Sequence, residues 1–348
     1  MNKFKGQGAV TNIHNRFSQS RYEESIYQDE YDDEKIQTKT LEVFPKTIVN
    51  KVKRNSLPFV YSMNPYQGCE HGCSYCYARP THQYWGYSAG IDFERIVLVK
   101  KNAPELLEKC FQKKGYRPSP IMLSGNTDCY QPVERQYQLT RKLLQICLDY
   151  RHPVSIITKN ALIMRDLNII KALAEKKLVS VSLSIPTINE DLRRVMEPRT
   201  SSTKNKLKAI QELSSAGVPV HVMIAPVIPS LNSAEILKIV KTIHEHGAIS
   251  FGYTLVALND EVHPVFESWL ETHFPDRKNK VINQIASLHG GKVSEKNIAK
   301  RNKGEGNFAE MIHRTFQIAR QKYFPEKTDF HLSTTLFDGT KGEQLRLF

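Results

Sequence analysis

The sequence predicts an α/β fold: a partial (β/α)6 barrel with parallel strands inside and helices outside. Two observations carry that expectation. From about Ser56 onward, short β-branched runs alternate with amphipathic segments about six times, and such alternation builds right-handed βαβ units on a parallel sheet. A loop dense in cysteine and glycine follows the first of these runs. Barrels carry their chemistry at that place, after the C-terminal end of a strand.

In chain order the strand-like runs are Phe59–Met63, Ile96–Val99, Ile121–Ser124, Val154–Thr158, Val179–Ile185, Val218–Ala225 and Ile249–Val256. They are short, rich in Val, Ile and aromatics, and bounded by turn residues. Between and after them, apolar residues recur at helical spacing over Ala103–Lys113, Arg135–Tyr150, Leu162–Glu175, Thr203–Ala216, Ala234–His246 and Lys278–Leu288, the mark of helices with one buried face. Asn232 or Ser233 can cap one start, and Gly217 and Gly247 stand just past two helix ends, as helix punctuation requires. Residues 1–54 are polar and charge-blocked and read as a flexible or loosely docked arm. The expected organisation is therefore an arm over 1–54, a barrel over 55–258, a basic helical extension over 259–340 and a tail over 341–348.

A chain of 348 residues with 40% hydrophobic and 24% charged residues can bury a large core. Its greasiest segment, VHVMIAPVIPSL, is interrupted by Pro226 and Pro229, and no run reaches the roughly 18 apolar residues of a membrane span. No signal-peptide core opens the chain, and the cysteine usage fits a reducing compartment, so the expected location is the cytoplasm. The net charge is +13, although seven acids and no base lie between Glu23 and Glu34. The rest is thus more basic still, with eight Lys or Arg against two acids from Thr272 to Gly304. Such a body suits a polyanion such as nucleic acid. The run Lys296, Lys300, Arg301 and Lys303 is the candidate contact.

Cys69, Cys73 and Cys76 lie in NPYQGCEHGCSYCYARP, spaced Cys-x3-Cys-x2-Cys. Three thiols so close together suit one face of an iron–sulfur cluster, which normally takes four cysteines; three leave one iron open. Gly68 and Gly72 permit the tight backbone that wrapping a cluster needs. A structural zinc site is the alternative, but zinc takes four N/S ligands in paired units, and His71 could join only from inside the first spacer. Tyr75 can set a ring beside the open iron. Cys110 and Cys147 fall among apolar residues at helical spacing and read as core.

The cysteine motif resembles the radical S-adenosylmethionine (SAM) signature. Together with SGNTDCYQPVER, SLSIPT, EPRTSS, AGVPVHVMIAPVIPSLN and FPDRKNKV, it resembles a bacterial family related to spore photoproduct lyase, over roughly Pro58 to Gly291. The resemblance implies a radical SAM barrel holding a 4Fe–4S cluster on Cys69, Cys73 and Cys76. It implies cleavage of SAM to a 5′-deoxyadenosyl radical, with an external donor such as flavodoxin or ferredoxin supplying electrons. It implies SAM contacts at Thr127, Asp128, Lys159 and Ser184, with Tyr75 and Tyr77 matching the tyrosines around the last cluster cysteine. The lyase's hydrogen-donating cysteine has no counterpart, since that position is Gly125. Cys129 and Tyr77 are the candidate catalytic residues, Cys129 as a displaced donor or else as a small buried residue.

Ser182 and Arg199 stand at other predicted strand ends. His82, Tyr84, Trp85 and Tyr87 either stack on a base or roof the cluster, and His244 and His246 read as solvated. The terminal Gln344-Leu345-Arg346-Leu347-Phe348 resembles the peptide by which bacterial DNA polymerases and repair proteins dock on the sliding clamp, offering apolar anchors to a groove. The expected function is a radical SAM enzyme acting on damaged or modified DNA. Modification of RNA or protein, and a non-catalytic DNA- or clamp-associated redox protein, are the alternatives.

Overall fold

The structure is a computed structural model and describes residues 6–17, 38–52, 60–295, 297–326 and 330–340. The acidic block Glu23–Glu34, Lys296 and the terminal Gln344–Phe348 lie outside the described residues.

Among the described residues ten strands form two sheets: β1 (Lys39–Val43), β2 (Val49–Lys51), β3 (Tyr61–Met63), β4 (Tyr66–Gln67), β5 (Ile96–Lys100), β6 (Ile121–Leu123), β7 (Val154–Thr158), β8 (Val179–Ser184), β9 (Val220–Val227) and β10 (Ser250–Leu255). The large sheet runs β10-β9-β8-β7-β6-β3-β2. Its six strands from β3 to β10 are mutually parallel, and β2 joins antiparallel at the edge. This is the partial barrel the alternation predicts.

Two expectations change. The run at Ile96 is not a barrel strand; β5 pairs with β1 and β4 in a separate small sheet. Its neighbour β1 comes from the stretch read as an arm, with Leu41 opposite Leu98. Periodicity identifies a strand but not its partner, and here the partner lies more than fifty residues upstream. Local turn chemistry also alters the helices. Arg135–Tyr150 is broken at Gln138, whose φ is 50°, leaving Leu139–Asp149 as the main helix. Leu162–Glu175 begins as a 3-10 turn capped by the Asn160 side chain and becomes α-helical at Leu167. Gly217 and Gly247 do take the left-handed conformation after their helices, with φ of 76° and 90°, which ends a helix without a Cβ clash. Asn232 caps nothing through its side chain. Its amide instead donates to Pro186 and Pro226 carbonyls and accepts from the Ile228 amide.

Alternation along the strands sorts the two faces of the sheet. Val154, Ile156, Val181, Leu183, Val220 and Val222 are buried against Leu143, Leu144, Ile170, Leu173, Ile210, Leu213, Ile239 and Ile243 of the helical layer. The alternate residues Ser155, Ser180, Ser182 and His221 are half-buried on the other face, where the Ser155 and Ser180 hydroxyls meet at 3.0 Å. Cys147 is wholly buried in the main core, as the core reading requires, whereas Cys110 is only half-buried and stands outside the core cluster. His244 is exposed, as the solvated reading expects, and its ring also meets Phe324 edge-on at 5.2 Å. Among the described residues no helix is long and apolar enough to cross a membrane.

Candidate active site at the three-cysteine loop

The loop leaves β4, turns at Gly68 (φ 80°) and Gly72 (φ 65°), and runs into the 3-10 helix Arg79–Trp85. A Cβ on Gly68 would lie 2.4 Å from the Ile96 carbonyl oxygen, so no other residue fits there without displacing backbone. Two clamps fix the loop. The Cys69 amide donates to the Phe93 carbonyl at 2.8 Å. Arg79, fully buried, donates from Nε and Nη2 to the Cys73 carbonyl at 3.0 and 2.9 Å, and from Nη1 to the Ala89 and Gly90 carbonyls. Its remaining donor goes to buried Glu94, so all five guanidinium donors are used. Glu94 also accepts the Gly8 and Ala9 amides at 3.1 and 2.7 Å. Part of the supposed arm is therefore sewn to the back of the cysteine loop.

Cys69 and Cys73 are buried, Cys76 is half-buried, and all are free thiols. Burial pushes all three thiols up in pKa, so thiolates here need a bound metal to hold their charge. Among the described residues no three His, Cys, Asp or Glu side chains close on a position for one metal ion. An iron–sulfur cluster asks for something else, because each thiolate takes its own iron. Three free cysteines on one tightly turned loop fit that demand.

The segment after β6 turns at Ser124, whose φ is 74° and whose hydroxyl accepts the Cys129 amide at 2.7 Å. Thr127 is buried and donates to the Tyr66 carbonyl at 2.7 Å, tying this segment to the strand before the cysteines. Asp128 accepts from the Thr158 hydroxyl and the Lys159 amide, each at 2.7 Å, and from the Tyr130 amide at 2.8 Å. His71 stands 3.3 Å from it, inside the cysteine loop. Burial works to raise the Asp128 pKa, but His71 and these hydrogen bonds outweigh it and hold the carboxyl below its usual range. Asp128 thus joins β6, β7 and the cysteine loop at one point. It meets Lys159 through the backbone amide, while the ammonium goes elsewhere.

That ammonium lies 3.0 Å from Glu197 and 5.7 Å from the centre of the Tyr75 ring. Glu197 also receives the Tyr75 hydroxyl and, at 3.0 Å, the ammonium of Lys206. Burial opposes ionisation of Glu197, yet the two lysines and the Tyr75 hydrogen bond drive its pKa well below the carboxylate range. Ser184 is buried at the C-terminal end of β8. Sequence reasoning missed Glu197 and Lys206. The signal was present: Thr203, Lys206, Ile210 and Leu213 form one helical stripe, and all are buried.

Other candidates separate. Tyr77 is exposed and its hydroxyl donates to the Gly125 carbonyl at 2.9 Å. Cys129 is wholly buried in the main core, the packing expected of a small buried residue. Arg199 stays beside the cysteine loop, its amide donating to the His71 carbonyl at 3.3 Å, while its guanidinium donates to the Gly6 carbonyl and the Thr38 hydroxyl, each at 3.2 Å. His82 is buried and Tyr87 tilts against it at 5.2 Å, whereas Tyr84 and Trp85 face solvent.

A radical SAM superfamily domain model matches residues 63–243, just over half of the chain, including β6, β7, β8 and β9 of the parallel sheet. An uncharacterised protein of Mycobacterium tuberculosis, Rv2578c, is 38% identical over 194 residues, 56% of this chain and 57% of that protein. The chain thus spans little more than half the length of this curated relative. The uncharacterised MJ0683 of Methanocaldococcus jannaschii is 29% identical over 226 residues, 65% of this chain and 81% of that protein. Among solved structures, spore photoproduct lyase complexed with dinucleoside spore photoproduct shares the fold with a TM-score of 0.56 at 13% identity, over 82% of this chain and 80% of that one. A variant of that lyase with bound AdoMet and the same dinucleoside superposes with a TM-score of 0.55 at 14% identity, over the same shares. With its three-cysteine loop at the strand ends of an open parallel barrel, the chain belongs to the radical SAM superfamily.

Proposed function

We propose that this protein is a radical SAM enzyme acting on nucleic acid, with damaged or modified DNA as its substrate class. In this reading Cys69, Cys73 and Cys76 hold a 4Fe–4S cluster. Tyr75, Thr127, Asp128, Lys159 and Ser184 form the SAM site, Thr127 and Asp128 chiefly by fixing the loop and Lys159 by its ammonium. When bound, the cluster supplies the electron that splits SAM, drawn from a carrier such as flavodoxin or ferredoxin. The residue offered to the substrate is Tyr77, exposed beside the cysteine loop.

The observation that carries the nucleic-acid reading is an exposed aromatic edge beside that loop. Tyr77, Tyr84 and Trp85 are 61%, 70% and 45% exposed, and Phe17, 53% exposed, stacks on Tyr84 with ring centres 5.0 Å apart. Rings of this size left in water suit bases, which stack on aromatic faces regardless of sequence. Cations frame the edge. The Arg16 guanidinium lies 5.0 Å from the centre of the Phe17 ring, and the charge of Arg301, on the basic helix Ile298–Lys303, acts on the Tyr77 hydroxyl. The named ligands of spore photoproduct lyase support the same reading by analogy. The terminal Gln344–Phe348 would dock on the sliding clamp, and residues 330–340 lead to it along the outside of the barrel with Phe337 seated against Phe111, Tyr116 and His152.

The test is anaerobic incubation of reduced, reconstituted protein with SAM and oligonucleotides carrying defined lesions. Mass spectrometry would follow 5′-deoxyadenosine and altered bases. Lesion-dependent turnover is expected, together with duplex binding whose log K falls with log salt by about 0.9 per neutralised phosphate. SAM cleavage indifferent to every nucleic acid, with no binding at low salt, refutes the reading and returns the choice to a protein substrate. Removal of Leu347 and Phe348 should abolish retention on purified clamp and leave iron content unchanged.

A further inference from the structure

We propose that Lys206 is a positioning residue. It holds Glu197 as a second counter-ion, so that Lys159 can leave that carboxylate for the carboxylate of bound SAM. The inference rests on the reading of this loop as a SAM site.

Glu197 is fully buried and meets two ammonium groups, Lys206 on Oε2 and Lys159 on Oε1, each at 3.0 Å. One lysine suffices to neutralise one carboxylate, so the group carries a surplus positive charge. A buried surplus charge is costly without a partner. The two lysines differ in freedom. The Lys206 side chain is 1% exposed and rises from the interior of the helix Thr203–Ser215, whereas Lys159 is 18% exposed at the rim. Beyond Glu197, the Lys159 ammonium has only long contacts among the described residues, 3.5 Å to the Ala225 carbonyl and 5.7 Å to the centre of the Tyr75 ring. Glu197 also receives the hydroxyl of Tyr75, which stands between Cys73 and Cys76, and this puts the surplus beside the cysteine loop. The anion that completes this group is thus small, carboxylate-bearing and held next to that loop, which describes the methionine end of SAM.

Lys206 makes the exchange feasible. Drawing the only counter-ion off a buried carboxylate strands it, and a stranded buried charge is strongly destabilising. With Lys206 and the Tyr75 hydroxyl in place, Glu197 stays compensated while Lys159 moves. Without Lys206, Lys159 is bound to Glu197 and lost to the ligand.

The test compares wild type, Lys206→Met, Glu197→Gln and the double variant, each reconstituted anaerobically. Calorimetry would give affinities for SAM and for decarboxylated SAM, with iron content and melting temperature alongside. Wild type should favour SAM by about tenfold or more, the scale of a hydrogen bond to a charged group. Lys206→Met should lose that preference by weakening SAM alone, and the double variant should regain it. Glu197→Gln should keep the preference or enlarge it. A preference that persists in Lys206→Met, equal weakening of both ligands, or no recovery in the double variant overturns the role of Lys206. If Lys206→Met fails to take up iron or to fold, Glu197→Gln and the double variant decide: loss of preference in either overturns the proposal. Wild type that binds neither ligand overturns the SAM-site reading as well.

Discussion

Replacing Arg79 with methionine should unfold or nearly unfold this protein, although the residue makes no contribution as a metal ligand. Methionine keeps an unbranched apolar stem and removes all five donors. Two consequences can be ranked. Glu94, with both side chains fully buried, loses its counter-ion, and breaking a buried pair costs about 3–5 kcal/mol. The Cys73 carbonyl loses two donors and the Ala89 and Gly90 carbonyls lose one each; each stranded carbonyl costs about 1–3 kcal/mol. The Gly8 and Ala9 amides still bind Glu94, which keeps the charge term toward its lower end. The sum is comparable with the roughly 5–15 kcal/mol that holds a whole domain together. The assay is urea unfolding of the apo-protein, with iron and sulfide content of the reconstituted form. Arg79→Met with Glu94→Gln should recover about 3 kcal/mol of the loss, because it removes the bare charge and leaves the carbonyls unpaired. An Arg79→Met protein within about 1 kcal/mol of wild type and with full iron content would refute the clamp.

The remaining predictions concern separate parts of the molecule. Cys69→Ala, Cys73→Ala or Cys76→Ala should each abolish cluster absorbance and bound iron, whereas Cys110→Ala and Cys147→Ala should keep both, and wild-type iron in Cys73→Ala would sink the assignment. Tyr84→Ala and Trp85→Ala should each weaken binding of a single-stranded oligonucleotide by about 1–3 kcal/mol in fluorescence anisotropy without altering the melting temperature; unchanged affinity in both removes the stacking edge. Burial lowers His152 to about 4, below its ordinary value near 6.5, so its contribution is complete above about pH 6.5 and is lost as pH falls toward 4. That loss amounts to about 3 kcal/mol. His152→Gln, which retains a polar partner for the Tyr116 hydroxyl, should flatten this part of the stability profile measured by denaturant titration. An unchanged profile argues that the ring is already charged or exposed.

Much of the site was legible because it is local. Cys69, Cys73 and Cys76 lie within one turn-rich loop, and the glycines that let it turn lie beside them, so spacing alone picks out the three thiols proposed as cluster ligands. The parallel barrel was legible for a similar reason: each βαβ unit writes its period and its punctuation into a contiguous stretch. Cys147 and Lys206 were equally readable from helical spacing, but only the cysteine was read correctly, since a lysine on an apolar stripe is easily passed over.

Chain-distant contacts were not legible. No periodicity announces that Leu41 pairs with Leu98, or that the amides of Gly8 and Ala9 reach Glu94. Only the folded chain decides that Asp128 binds the backbone of Lys159, or that Cys129 faces the core and Tyr77 the solvent. The same holds for Tyr75 and Glu197, which meet across 122 residues of sequence. The sequence by itself determined which side chains bring chemistry to this protein, since thiols, amines and carboxylates are fixed by residue type. The tertiary structure decided which of them face a ligand and which are spent on one another, because a buried polar group takes the partner that packing puts within reach.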